Sequence, residues 1–69
     1  MKAGELRRFN ENLDTLIAVH ASGQTFLVLE VVNNPGGTPT VTILIDGKTE
    51  SGWGYPWVKE NSEVLNETR

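Results

Sequence analysis

The chain has 69 residues, a formal net charge of −3 and no cysteine. That length holds one domain, residues 1–69, with a small core that buries only ~60% of the unfolded surface. Disulfide staples and thiolate metal sites are excluded, and no apolar run approaches the ~20 residues of a membrane span. The opening Met1-Lys2-Ala3-Gly4-Glu5-Leu6-Arg7-Arg8 has no apolar run behind its basic start, so no signal peptide is expected. An intracellular or virion location is compatible with these features. Basic residues are few and scattered, and Arg7-Arg8 is the one basic pair. Phosphate neutralisation dominates nucleic-acid binding, so this balance argues against DNA or RNA as the main partner.

Residues 5–19 support two readings. Leu6, Phe9, Leu13, Leu16 and Ile17 recur at helical spacing. Against a helix stand Gly4 and the weak helix formers Asn10, Asn12 and Asp14. The second reading makes Glu5–Phe9 a strand, Asn10–Asp14 a polar acidic loop and Leu16–Val19 another strand, in keeping with a chain that has no other helical segment. His20-Ala21-Ser22-Gly23-Gln24 follows as a turn, with Gly23 free to take positive φ. Thr25–Val32 is the strongest strand, rich in β-branched and aromatic residues. Glu30 marks Phe26/Val28/Glu30/Val32 as its wetter face, which makes Leu27, Leu29 and Val31 the expected core residues.

Asn33–Pro39 carries two prolines and two glycines and is a loop. Thr40–Ile45 is a strand with Val41, Ile43 and Ile45 on one face. Asp46-Gly47 then suits a two-residue type I′ hairpin turn, which needs positive φ at both central positions. The returning strand, Lys48–Trp53, would set Lys48 and Glu50 opposite Ile45 and Ile43. Either the side-chain stems cover a half-exposed face, or a bulge near Gly52 shifts the register. Pro56 opens a single helical turn, and Ser62–Leu65 closes the chain as a short strand with Val64 or Leu65 returning to the core.

This order describes an all-β chain. It resembles a five-stranded SH3-like small barrel with one short helical turn, in particular the very small SH3-like proteins of tailed bacteriophages. The resemblance rests on the opening Met1–Phe9 and on Ile45-Asp46-Gly47-Lys48-Thr49-Glu50, Trp53, Trp57-Val58 and Asn61-Ser62-Glu63-Val64-Leu65. It implies a compact accessory or virion protein, not an enzyme. The Tyr-rich motif that opens the groove of peptide-binding SH3 domains is absent, and the corresponding stretch reads Leu6-Arg7-Arg8-Phe9-Asn10.

The candidate binding residues are Trp53, Tyr55 and Trp57, with Phe26. Positions 53, 55 and 57 share one side of an extended chain, where aromatics could grip a proline-rich peptide, a methylated lysine or an extended strand. The competing reading puts these rings in the core and across the open end of the barrel. His20 lacks companions for a metal site or a base–nucleophile pair. Glu60, Glu63 and Glu67 read as a solvated acidic edge, and Gly36-Gly37 lacks the lysine and helix of a phosphate loop. No catalytic, metal or cofactor residues are expected. The function indicated is a non-enzymatic module for protein interaction or self-assembly, touching its partner through the aromatic cluster, an edge strand or both. The alternative is a nucleic-acid-contacting regulator using Arg7, Arg8, Lys48 and aromatic stacking.

Overall fold

A computed structural model describes residues 1–13 and 18–65. The chain is all-β apart from short helical turns. Its strands are β1 (Leu6–Phe9), β2 (Thr25–Val32), β3 (Thr40–Ile45), β4 (Lys48–Gly54) and β5 (Ser62–Val64), and the helix α1 (Tyr55–Glu60) joins the last two. They form one antiparallel sheet in the order β4-β3-β2-β1-β5. The strand reading therefore holds for Leu6–Phe9. The expected strand at Leu16–Val19 does not hold at its C-terminal end, because Val19–Ala21 is a 3-10 turn. Leu16 and Ile17 lie outside the described residues.

Hairpin chemistry sets the centre of the sheet. Asp46 and Gly47 take φ of 52° and 72°, the two positive values a type I′ turn requires. Ile45 then pairs with Lys48 and Ile43 with Glu50. Past Glu50 the register changes: Val41 lies opposite Trp53, so Ser51 and Gly52 together face Thr42. Gly52 takes φ of 83°, which is costly for any residue with a Cβ. The pairs expected near the turn are present, and beyond them the bulge, one of the two alternatives from the sequence, shifts the register. The bulge reverses the side-chain phase. Without it Gly52 would oppose Val41 and Trp53 would point outward.

A second bulge corrects the expected core. In β2 the buried residues are Phe26 and Val28, and Leu29 is 37% exposed. The ladder runs Phe26–Ile45, Val28–Ile43, Glu30–Thr42, Val31–Val41, leaving Leu29 as the extra residue. Strict alternation put Leu27, Leu29 and Val31 on one face. The bulge breaks that alternation, so Val28 and Val31 both turn inward while Leu27 and Glu30 turn outward. Of the three expected core residues only Val31 packs against the core.

The sheet is curled, not flat. Strands β1 and β4 are separated by two others, which in a flat sheet is ~14 Å between backbones. Yet the rings of Phe9 on β1 and Trp53 on β4 lie 5.2 Å apart. Phe9 also stacks on Phe26 at 4.3 Å. Around these rings sit Val28, Val41, Ile43, Ile45 and the fully buried Val58 of α1. Among the described residues β4 and β5 share no ladder. Helix α1 contacts both of them and spans the gap. Pro56 lies in its first turn, and Asn61 ends it by donating from its backbone N (3.0 Å) and its Nδ2 (2.8 Å) to the Trp57 carbonyl. Neither Val64 nor Leu65 returns to the core, as they are 38% and 42% exposed. A three-residue edge strand leaves them at the rim.

These assignments yield two expected outcomes in urea unfolding. Ile43→Ala lowers stability by about 2–5 kcal/mol, whereas Leu44→Ala, its outward neighbour, costs less than about 1 kcal/mol. Gly52→Ala costs about 1–2 kcal/mol through backbone strain alone, because a Cβ there meets no atom within 4 Å. Gly37→Ala, where the added Cβ makes only ordinary contacts and φ is not positive, serves as the neutral control.

Candidate functional site

Trp53 and Trp57 approach the same place from different elements. The β4 bulge turns Trp53 inward, and α1 begins two residues later, so Trp57 comes from the first helical turn. Their ring centroids lie 5.9 Å apart at 33°, and Trp57 is 6.1 Å from Phe9. Each indole is half-buried, with one side on the core. The other side borders an open cleft of about 570 Å³, lined by residues 50–54, Trp57, Ala18 and His20.

The four expected binding residues separate. Trp53 and Trp57 meet at the cleft. Tyr55 does not, because it starts the helix and the extended alternation ends there. It packs against the core, and its Oη accepts a 2.7 Å hydrogen bond from the Met1 nitrogen. Phe26 is 1% exposed and stacked on Phe9, so it presents no surface to a ligand. A tryptophan pair that both closes the core and faces the cleft combines the two readings of the aromatic group.

Glu50 is the member of the site that sequence reasoning did not assign. In a regular strand residues 50 and 53 point to opposite faces. The extra residue of the bulge puts them on the same face, where Trp53 Nε1 donates to Glu50 Oε1 at 3.2 Å. The signal was Gly52 lying between them. His20 and Ser51 also line the cleft. His20 is exposed on the 3-10 turn, where its carbonyl accepts from Gln24 Nε2 at 2.7 Å. No hydrogen bond joins His20 to Ser51 or Glu50 among the described residues. No cluster of three or more potential metal ligands occurs among the described residues.

Arg7 belongs to the fold. It is 6% exposed. Its Nη1 donates to Glu5 Oε1 at 2.7 Å and its Nε to Ser62 Oγ at 2.8 Å, while Nη2 reaches the carbonyls of Ser62 (3.1 Å) and Lys59 (3.4 Å). Ser62 Oγ in turn donates to the Val58 carbonyl. One guanidinium thus ties β1 to the end of α1 and to β5. Arg8 is exposed and paired with Glu63 at 3.0 Å across the β1–β5 ladder. Glu60 is exposed, and Glu67 lies outside the described residues.

A second surface lies on the outer face. Leu6 pairs with Leu27 and Leu27 with Leu44, and the backbone of Leu65 bonds Leu6. These leucines form a row from the residue just past β5 across β1, β2 and β3, and Leu44 and Leu65 are among the exposed large apolar residues. Arg8, Thr25 and Glu63 flank the row on one side, and Glu30 and Thr42 on the other. The inverted core assignment hid this row, because Leu27 was counted inward.

No described helix is long and apolar enough to cross a membrane, which says nothing of strands. No protein-family model, curated protein or solved structure matches the chain. The class defined by fold and site is a small all-β domain with a two-tryptophan cleft.

Arg7→Ala should cost about 3–5 kcal/mol, since it strands the Glu5 carboxylate and several acceptors. Small domains of this size rarely hold more than about that, so circular dichroism should show a largely unfolded chain at 37 °C. Arg8→Ala, which removes an exposed pair, should change the urea midpoint by less than about 1 kcal/mol equivalent.

Proposed function

We propose that the protein is a non-enzymatic interaction module that receives an extended protein segment in the Trp53–Trp57 cleft. The observation that carries this reading is the pair of half-buried indoles 5.9 Å apart, open to about 570 Å³ of space. Tryptophan supplies large contact area with few rotamers to immobilise and is enriched at binding hot spots. Its core-facing side holds each ring in place before any ligand arrives, which lowers the entropy cost of binding. An accessory or virion role, as the phage SH3-like resemblance implies, agrees with such a module.

Contact through an edge strand is the less favoured mode. The β4 edge carries Lys48 and Glu50 and is broken by the bulge at Ser51–Gly52, while β5 is three residues long. Charges, bulges and short edges are the devices that block strand addition. The nucleic-acid reading loses Arg7 to the interior and Arg8 to a pairing with Glu63.

Selection from a displayed library of random decapeptides tests the proposal. The natural chain should enrich a consensus, and Trp57→Ala, shown by circular dichroism to remain folded, should lose it by tenfold or more. Trp57→Phe serves in its place if the alanine variant unfolds. Equal enrichment by the natural chain and the folded variant would remove the cleft as the site. Retention on heparin at 150 mM salt would favour the nucleic-acid alternative.

A further inference from the structure

We infer that the cleft recognises a cationic side chain, a guanidinium or an ammonium, carried by the bound segment. The inference rests on the reading of the cleft as a protein-binding surface and adds the chemistry of what enters it.

Three observations converge. Two indoles in mutual contact, their centroids 5.9 Å apart and their planes differing by 33°, border the cleft, so a group seated in it lies against π-electron density from both rings. A ring face is negative and attracts cations, most strongly for tryptophan. Among the described lining residues Glu50 is the only carboxylate, and none is a lysine or arginine. The Trp53 Nε1 hydrogen bond occupies Glu50 Oε1 and leaves Oε2 without a protein partner in the described structure. That bond also fixes the carboxylate beside the indole, so it needs no reordering when a cation arrives. Glu50 is half-buried, and there its charge is less screened than on the open surface. The chain's net charge of −3 adds a long-range attraction for a basic segment.

The site is built by one backbone feature. The bulge at Ser51–Gly52 brings Glu50 and Trp53 to the same face, and α1 supplies Trp57. Among the described lining residues the other titratable group is His20, on the 3-10 turn. The cleft volume exceeds that of one basic side chain, so the flanking backbone of an extended peptide also fits within it.

The test uses the two indole Nε1–H signals of the chain, which has two tryptophans. Acetyl-Gly-Ser-Arg-Ser-Gly-amide is titrated to 20 mM against the matched peptide in which citrulline, neutral and nearly isosteric, replaces the arginine. The arginine peptide should shift both indole signals in a saturable way, and the citrulline peptide should bind at least about fivefold more weakly. Glu50→Gln, whose amide oxygen still accepts from Trp53 Nε1, should weaken the arginine peptide by about fivefold or more while the fold is retained. Raising salt from 50 to 500 mM should weaken it more in the natural chain than in Glu50→Gln. Equal binding of the two peptides, or an unchanged affinity in Glu50→Gln, overturns the cationic assignment. So does the absence of any shift at 20 mM. If display selection nevertheless yields a neutral consensus that depends on Trp57, the interaction module stands and only its ligand chemistry is wrong. If no selected peptide depends on Trp57, both fall.

Discussion

One surplus residue in β4 fixes most of what lies on either side of it. Ile43 opposes Glu50 and Val41 opposes Trp53, so two residues of β4 stand against Thr42. A strand has a period of two, and an odd insertion therefore exchanges the faces of everything beyond it. That exchange carries Trp53 from the solvent side to Phe9. The contact holds the first and fourth strands together over a distance that a flat sheet would leave open. A bulge also bends its strand and adds local twist. Gly52 is the residue that allows this, since its backbone lies in the left-handed region where a Cβ is strained.

A chain without disulfides must hold its ends by other means. Here the seam opposite the hairpin is closed by polar groups. Arg7 reaches from β1 to Ser62 and to the Lys59 carbonyl, and the Asn10 backbone donates to Asn61 at 2.9 Å. A buried guanidinium is tolerable because its partners satisfy it, including the Glu5 carboxylate. No buried side-chain polar atom lacks a partner among the described residues. Burial of Val58 on the far side of α1 then fixes the helix against the core. The helix, once fixed, holds Trp57 at the cleft. The same short segment serves the seam and the site.

The elements were legible because their signals are local. Asp46-Gly47 dictates its turn type by φ alone, Thr25–Val32 reads as a strand from its β-branched residues, and Pro56 announces the start of a helix. Face assignment was only partly legible. Alternation counts from a fixed phase, and in β2 nothing local to Leu29 announces that it is extra. Glu30 is the one polar residue from Phe26 to Val32, and because it lies beyond the bulge its outward position assigns Phe26 and Val28 to the wrong face. Burial is decided by the partner strand, where Ile43 and Val41 must meet Val28 and Val31. In β4 the glycine gave a visible cue, and the bulge could be named as one of two options. The pairing of Glu50 with Trp53 follows from that option, but only if the phase change is carried forward to residue 53. Tyr55 was misplaced for a related reason. The extended geometry assumed for residues 53–57 ends at the helix that Pro56 had already signalled.

The proposed binding mode follows from which surfaces the fold leaves usable. Both sheet edges are blunted, one by charge and a bulge and one by its brevity. The outer leucine row is apolar and lies on the opposite face of a curved sheet, apart from the cleft. The cleft differs in having walls, a charge and a fixed geometry. Its walls cannot be surrendered to solvent or collapsed inward, because each indole is also part of the packing around Phe9. A ring shared in this way resists the rearrangement that would otherwise fill so open a space with its own side chains. Stability of the core and openness of the cleft are thus produced by the same two residues, and the one polar handle on Trp53 is directed at Glu50. An apolar ligand would use the ring faces but leave that carboxylate to be desolvated without compensation. A cation uses both, and this asymmetry is the physical ground for assigning the sign of the ligand's charge.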